Sequence, residues 1–225
     1  MNSKRSKSDN KRIYYPLFLD ITDKQCFVIG GGKVAERKVA MLLESGANVT
    51  VISPTATKVL KELARLGKIT FFKRAFAPND IDGAALVFTC TNSPEINKAI
   101  KASAALRHIP VNVADNPKLC DFIVPSIIRK DDIMIAISTG AQLPLVSKQL
   151  RRKLESVLTD DYLHYVRILS TVRGHVLKTI QNKAERERIM KKIAGLAVQE
   201  VIENGAEPLL KMVRQDRKRT VGSRG

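Results

Sequence analysis

Gly30-Gly31-Gly32 is the stretch that most constrains this chain, because three consecutive glycines separate an apolar run from an amphipathic one. Ahead of them Cys26-Phe27-Val28-Ile29 has strand character. Behind them Val34, Ala35, Val39, Met41, Leu42 and Leu43 recur at helical spacing, up to a stop at Ser45-Gly46. The order is strand, glycine turn, helix. Gly30, Gly32 and Ala35 fall on the G-x-G-x-x-G/A spacing of a dinucleotide site. In such a site the first glycine permits the tight turn and the second lets a pyrophosphate approach the backbone. The small third residue lets helix and sheet pack closely, and the helix N-terminus presents free N–H groups to phosphate. A glycine-rich turn without a ligand is the plainer reading of the same residues.

The chain continues in the same alternation. Further strands are expected at 48–52, 69–73, 85–90 and 110–114, after the first at 25–29. Helices are expected at 33–45, 56–66 and 94–107, the last opened by Ser93-Pro94, an N-cap followed by proline at the first helical position. Strands alternating with helices predict an α/β fold, a Rossmann-type doubly wound parallel sheet. Ligands of such sheets bind beyond the carboxyl ends of the strands. That edge carries Gly30 and Gly32, Ser53-Pro54-Thr55, Cys90-Thr91-Asn92 and Ala114-Asp115, so Thr91 and Asn92 join the glycines as expected cofactor contacts. His108 falls at the opposite edge and is rejected as catalytic.

The pattern then changes. Phe122 to Ile128 and Ile133 to Ser138 are two strand-like runs joined by a polar loop, Arg129 to Asp132, as in a hairpin. After Pro144 apolar spacing predicts helices near 144–158, 160–181, 184–203 and 206–214, with a break at Asn204-Gly205. His164 and His175 fall in these helices without a partner at metal-ligand spacing. No metal site is expected, and three cysteines without C-x-x-C spacing (Cys26, Cys90, Cys120) fit a reducing, cytoplasmic setting. No run of about 18 apolar residues is present, so no membrane span is expected. The polar, basic start has no secretory signal.

Charge is the unusual property. Thirty-nine Lys and Arg against 22 Asp and Glu give a net +17. Such an excess favours a polyanionic partner: nucleic acid, a membrane surface or a multiply charged small substrate. No helix-turn-helix or aromatic–basic interleaving supports the first. Cofactor choice stays open at this level. A Rossmann site for NAD usually has an acid at the end of the second strand, about 20 residues past the glycines, and no acid occurs between Ser45 and Lys61. Ser53 can bond a ribose hydroxyl, and Lys58 can meet a 2′-phosphate. Asp115 is either a proton acceptor beside the nicotinamide or a turn former in Asp115-Asn116-Pro117. Asp121 is the next carboxylate, at the opening of the first hairpin strand.

Taken in order, Tyr15-Pro16-Leu17-Phe18-Leu19-Asp20, Val28 to Lys38, Val111-Asn112-Val113-Ala114-Asp115, Phe122-Ile123-Val124-Pro125-Ser126 and Ser138-Thr139-Gly140 closely resemble the siroheme synthase family. The similarity is to its precorrin-2 dehydrogenase / sirohydrochlorin ferrochelatase module in stand-alone form, from about Ile13 to about Leu158. From the length, the methyltransferase fused to some relatives is not expected here. The resemblance implies NAD-dependent oxidation of precorrin-2 to sirohydrochlorin, followed in many members by insertion of ferrous iron at the same site. It implies a homodimer and places the catalytic aspartate on Asp115. The NAD contacts fall on Lys33, Val34, Pro54 and Thr55, and the substrate contacts on Ser138, Thr139 and Gly140.

The resulting expectation is a basic arm over 1–12, a Rossmann domain over 13–115, a β-hairpin dimerisation segment over 116–143 and a helical domain with a basic tail over 144–225. The carboxylates of precorrin-2 account for the positive charge. The competing reading is a non-enzymatic NAD(H) sensor that binds nucleic acid through its tails. A third is a Rossmann oxidoreductase for a smaller acidic substrate. The enzyme reading involves neither nucleic acid nor membrane.

Overall fold

In the computed structural model, which describes residues 12–140 and 143–222, with side chains to Gln215, the chain divides into two compact units. The first runs to Val124 and includes Gly140. The second holds Pro125–Thr139 and everything from Leu143 onward. The expected arm over 1–12 lies outside the described residues except for Arg12. Its guanidinium donates to the carbonyls of Pro117, Lys118 and Cys120 at 2.7–3.1 Å.

The first unit is a five-stranded parallel sheet, β1 Gln25–Ile29, β2 Asn48–Ile52, β3 Thr70–Phe72, β4 Leu86–Thr89 and β5 Val111–Val113, in the order β3-β2-β1-β4-β5. Cys26 pairs in register with Val49 and Leu86, which centres β1. Alternation along the strands sorts the core into two layers. Cys26, Val28, Val49, Val51, Leu86 and Phe88 face α1 (Lys33–Glu44) and α2 (Lys58–Arg65) through Ala35, Val39, Leu42 and Leu60. Ile29, Ile52, Val87, Val111 and Val113 face α3 (Pro94–Leu106) through Ile100 and Ala104. Strands buried on both faces read as continuous apolar runs, as these do. Thr57 and Ser93 cap α2 and α3 by accepting from Leu60 N–H and Ile96 N–H. The cap at Thr57 is why α2 starts two residues later than expected.

The second unit opens with the antiparallel hairpin β6 (Ser126–Lys130) and β7 (Ile133–Ile137), on which α4 (Pro144–Val157) packs. The first hairpin strand starts four residues later than the sequence suggests. Residues 122–124 cover the first unit's sheet instead: the Phe122 ring stands edge-on to Phe88 at 5.4 Å, and its carbonyl accepts from Asn112 Nδ2 at 2.9 Å. The expected polar loop shrinks to Asp131-Asp132, because Arg129 and Lys130 pair with Met134 and Ile133. The segment 116–143 is therefore shared between the two units rather than forming one piece. The remainder is a helical cluster built on α5 (Asp160–Thr179), whose Tyr165, Ile168, Val172 and Val176 meet Ile189, Ile193, Val201, Leu209 and Val213. These come from α6 (Lys183–Ala194), α7 (Val198–Asn204) and α8 (Ala206–Gly222). The single helix expected over 184–203 is thus two, broken after Gly195, where Leu196 N–H turns back to Ile193 O at 3.1 Å. Apolar residues continue across that break, which hides it in the sequence. Among the described residues no helix is long and apolar enough to cross a membrane.

Asp121 does not open a strand. Its carboxylate accepts from Val111 N–H at 2.9 Å and pairs with Lys101, fastening the returning chain to the start of β5, at the edge opposite the glycines. Asp121→Ala should therefore lower stability by about 1–3 kcal/mol, the cost of stranding a backbone donor and an ammonium. A shift of the urea midpoint measures it.

Candidate functional site

The strand order reverses between β1 and β4, so the loops after these strands diverge and leave a crevice at the carboxyl edge. A cavity of about 450 Å³ occupies it. Gly30, Gly32, Lys33, Val34, Ser53, Pro54, Thr55, Thr91 and Asn92 all line it, so every residue assigned to the cofactor from sequence meets around one space. Three further contributors, Ala75, Phe76 and Ile96, went unnoticed. The first two follow β3, where an Arg74–Asp80 ion pair of 2.6 Å braces the loop and holds the Asp80 carboxyl below the usual range. Nothing in their sequence marks them, since no glycine, proline or hydroxyl residue follows β3 before Phe76.

The three glycines serve different needs. Gly30 has φ +121°, and a Cβ there would sit 2.4 Å from the Cys90 carbonyl oxygen. Gly31 is tighter still: its Cβ would lie 1.9 Å from Thr55 O, while its own carbonyl accepts from Thr57 N–H at 3.0 Å. Gly32 is different. Its backbone is extended, and a Cβ would meet nothing within 4 Å. The fold does not require glycine at 32, but a phosphate seated on the backbone would. Gly32 is also the N-cap of α1 and offers no capping side chain, which leaves first-turn N–H groups open toward the cavity. The middle glycine, which the motif treats as arbitrary, is required by the fold just as Gly30 is.

The loop after β4 is held from below. Buried Asn97 accepts from the hydroxyls of Thr89 and Thr91 at 2.8 Å and donates to Thr91 O at 3.2 Å. Sequence reading missed Asn97; its signal was a carboxamide one turn inside a capped helix, downstream of Thr89-x-Thr91. On the β2 side, buried Ser53 takes the place of the usual acid, and Lys58 does not line the cavity. Lys33 is the one charged lining residue, and its ammonium is paired with Glu36 at 2.9 Å. The Thr57 hydroxyl and Lys33 hold the Glu36 carboxyl below its ordinary value.

Asp115 does not line the cavity. It stands exposed in the turn after β5, one strand beyond Cys90, with φ +59°. Ala114 N–H, bonded to Thr89 O at 2.9 Å, anchors that turn to the end of β4. Asp tolerates this left-handed conformation better than most residues, so a turn role and a chemical role are compatible here. Ser138 and Thr139 belong to the second unit. Thr139 Oγ1 accepts from Leu143 N–H at 3.1 Å and lies 3.2 Å from Ser147 Oγ, while Gly140 has φ +66°. Cys26 and Cys90 are free, and burial pushes both thiols up to about 11. Among the described residues no group of three His, Cys, Asp or Glu side chains could hold a metal ion.

Residues 17–126 match a family model described as "Putative NAD(P)-binding". Two siroheme synthases align with nearly the whole chain. The one from Methylobacillus flagellatus is 34% identical over 85% of this chain, and the one from Methylococcus capsulatus 38% identical over 86%. The chain is similar to siroheme synthases over most of its length. It spans 41% of the length of each of these curated relatives. The solved structure of SirC, a precorrin-2 dehydrogenase, shares the fold, with a TM-score of 0.73 at 22% identity over 91% of this chain and 100% of that one.

The roles of Gly31 and Gly32 can be told apart by substitution. Gly31→Ala forces the loop off Thr55 and should cost about 1–3 kcal/mol of stability, as other overpacked sites do. Gly32→Val should leave the thermal midpoint near wild type and abolish the fluorescence change of NADH on titration with protein. Equal midpoints for both variants would contradict the assignment.

Proposed function

We propose that this protein oxidises precorrin-2 to sirohydrochlorin with NAD. The observation that carries the reading is the juxtaposition at one sheet edge. A glycine-lined cavity with open helix N–H groups lies at the switch point, and a carboxylate stands at the end of the strand beyond. The homology to siroheme synthases supplies the substrate class. The cavity suits a dinucleotide: Gly32 leaves room for a pyrophosphate and the α1 N-terminus favours its charge. NAD rather than NADP fits the β2 side, where Ser53 can bond a ribose hydroxyl and no unpaired cation lines the cavity to receive a 2′-phosphate.

Bound NAD would supply the hydride acceptor. The chain's part is to hold the ring of precorrin-2 against it and to take the proton. Asp115 is our proton acceptor, an exposed carboxylate on a turn fixed to β4. Ser138, Thr139 and Gly140 are proposed to contact the substrate. Ferrous iron would enter the same macrocycle as a second substrate, with Asp115 accepting the pyrrole protons. Asp115→Asn should reduce turnover roughly 10²–10⁴-fold while leaving NAD affinity nearly intact, measured by the sirohydrochlorin spectrum appearing from precorrin-2. Unchanged turnover would remove Asp115 from the chemistry, and wild-type protein that forms no sirohydrochlorin would overturn the function.

A homodimer is proposed from the second unit. In the hairpin Ile128 and Ile135 pair on one face, with Lys130, whose Nζ bonds the α4-terminal carbonyl of Leu158 at 2.7 Å. Ile127, Met134 and Ala136 share the other face, where Met134 is 42% exposed. On α4, Val146, Leu150, Leu154 and Val157 form an exposed stripe at helical spacing. The sequence offers Ile127 and Ile135 as equivalent contact residues; the register separates them, because Ile135 faces α4 with Ile128. Met134→Glu or Leu150→Glu should shift sedimentation toward monomer, whereas Ile135→Glu should lower stability. Free thiols agree with a cytoplasmic setting. The basic residues of both ends, 1–11 and 216–225, lie outside the described side chains.

A further inference from the structure

Lys38 is not explained by the cavity or by the proton-accepting step. It lies on α1, one turn beyond cavity-lining Val34 and on the same face. Helical side chains tilt back toward the helix N-terminus, which directs Lys38 toward the carboxyl edge of the sheet. Its Nζ lies over the Phe88 ring, 5.4 Å from the centroid, on the core layer that Cys90 continues. The side chain is half-buried, and no ion pair or hydrogen bond to another described residue ends on its ammonium. The charges that act on it are Arg37, which repels, and Asp115, which attracts from beyond ion-pair distance, with the thiols of Cys90 and Cys120 nearby. Its burial lowers its affinity for the proton below the ordinary lysine value.

A half-desolvated cation without a close anion is costly unless something compensates it. Elsewhere in the first unit, two other half-buried cations are paired: Lys101 with Asp121 and Arg107 with Asp82. Lys38, unpaired among the described residues, lies over Phe88 within electrostatic reach of Cys90 and Asp115. The pyrophosphate end of the cavity, from Gly30 to Val34, does not include it, so the cofactor's phosphates are not its partner.

We infer that Lys38 receives a carboxylate of the tetrapyrrole substrate and thereby sets the macrocycle beside Asp115. The assignment rests on the precorrin-2 reading above and names one residue by which that polyanion is held. An ammonium already stripped of part of its water gains more from a carboxylate than an exposed one does. Held between Phe88 and the Asp115 turn, it also fixes the ring's position, which a flexible surface lysine would not do.

The test uses the full chain with NAD and precorrin-2. Lys38→Met keeps the length and apolar stem but removes the charge. It should raise KM for precorrin-2 roughly 10–100-fold, the range for a charge-assisted hydrogen bond, leaving KM for NAD and the thermal midpoint no worse than wild type. Absorbance titration with sirohydrochlorin should show the same loss of affinity, and Lys38→Arg should recover most of it. Asp115→Asn, by contrast, should lower kcat. A lower midpoint in Lys38→Met with unchanged precorrin-2 KM and sirohydrochlorin affinity would make Lys38 structural and overturn the assignment. So would equal losses toward NAD and precorrin-2. Wild-type protein that neither oxidises precorrin-2 nor binds sirohydrochlorin overturns the function, and the lysine's role with it; turnover in wild type with no effect of Lys38→Met overturns the lysine alone.

Discussion

The approach of Gly31 to the Thr55 carbonyl is the contact on which the first unit's working edge depends. It brings the loop after β1 against the loop after β2 so closely that no side chain fits between them. The Thr57 N–H bond to Gly31 O closes the same gap from the other side. Thr57 also caps α2 and supports Glu36, which in turn engages Lys33. One backbone contact therefore aligns the start of α1, the start of α2 and the floor of the cavity. Gly30 does the equivalent against Cys90 on the β4 side. With both flanks closed by protein atoms, the open direction is above Gly32.

Charge is distributed by the same geometry. Arg74, Lys101 and Arg107 are neutralised where they stand, by ion pairs that brace loops rather than line the cavity. Surface pairs of this type contribute little stability individually, but Arg74–Asp80 fixes the segment that delivers Ala75 and Phe76 to the cavity. The net excess of +17 is therefore not a uniform coat. Among the described residues it leaves Lys38 without an ion-pair partner, beside the proposed reaction centre.

The second unit solves a different problem. Its helical cluster is satisfied internally around α5, whereas α4 leaves an apolar stripe exposed and the hairpin leaves a face of Ile127, Arg129, Met134 and Ala136. A two-stranded hairpin is marginal by itself, and α4 supports only one side of it. A second copy supplies what is missing on the other side under the dimer proposed above.

The sequence determined the alternation of strands and helices, because apolar period and caps are local: β1 and β2 lie at the expected residues, and Ser93-Pro94 opens α3 as read. It also marked every polar and glycine residue that lines the cavity, since an edge at strand ends is a consequence of topology that local pattern already implies. It could not decide matters of packing between distant segments. That Gly31 rather than Gly32 is needed by the fold rests on a carbonyl 24 residues away, a difference between Gly31 and Thr55 that no motif encodes. Phe122 reads as strand and instead caps Phe88; Asp121 reads as a strand opener and instead holds Val111; Gly195 is passed over because apolar spacing continues across it. Lys38 is the clearest case. In sequence it is one lysine among many in a basic helix, and only the closing of α1 over Phe88, beside the turn at Asp115, gives it a desolvated and unpaired position.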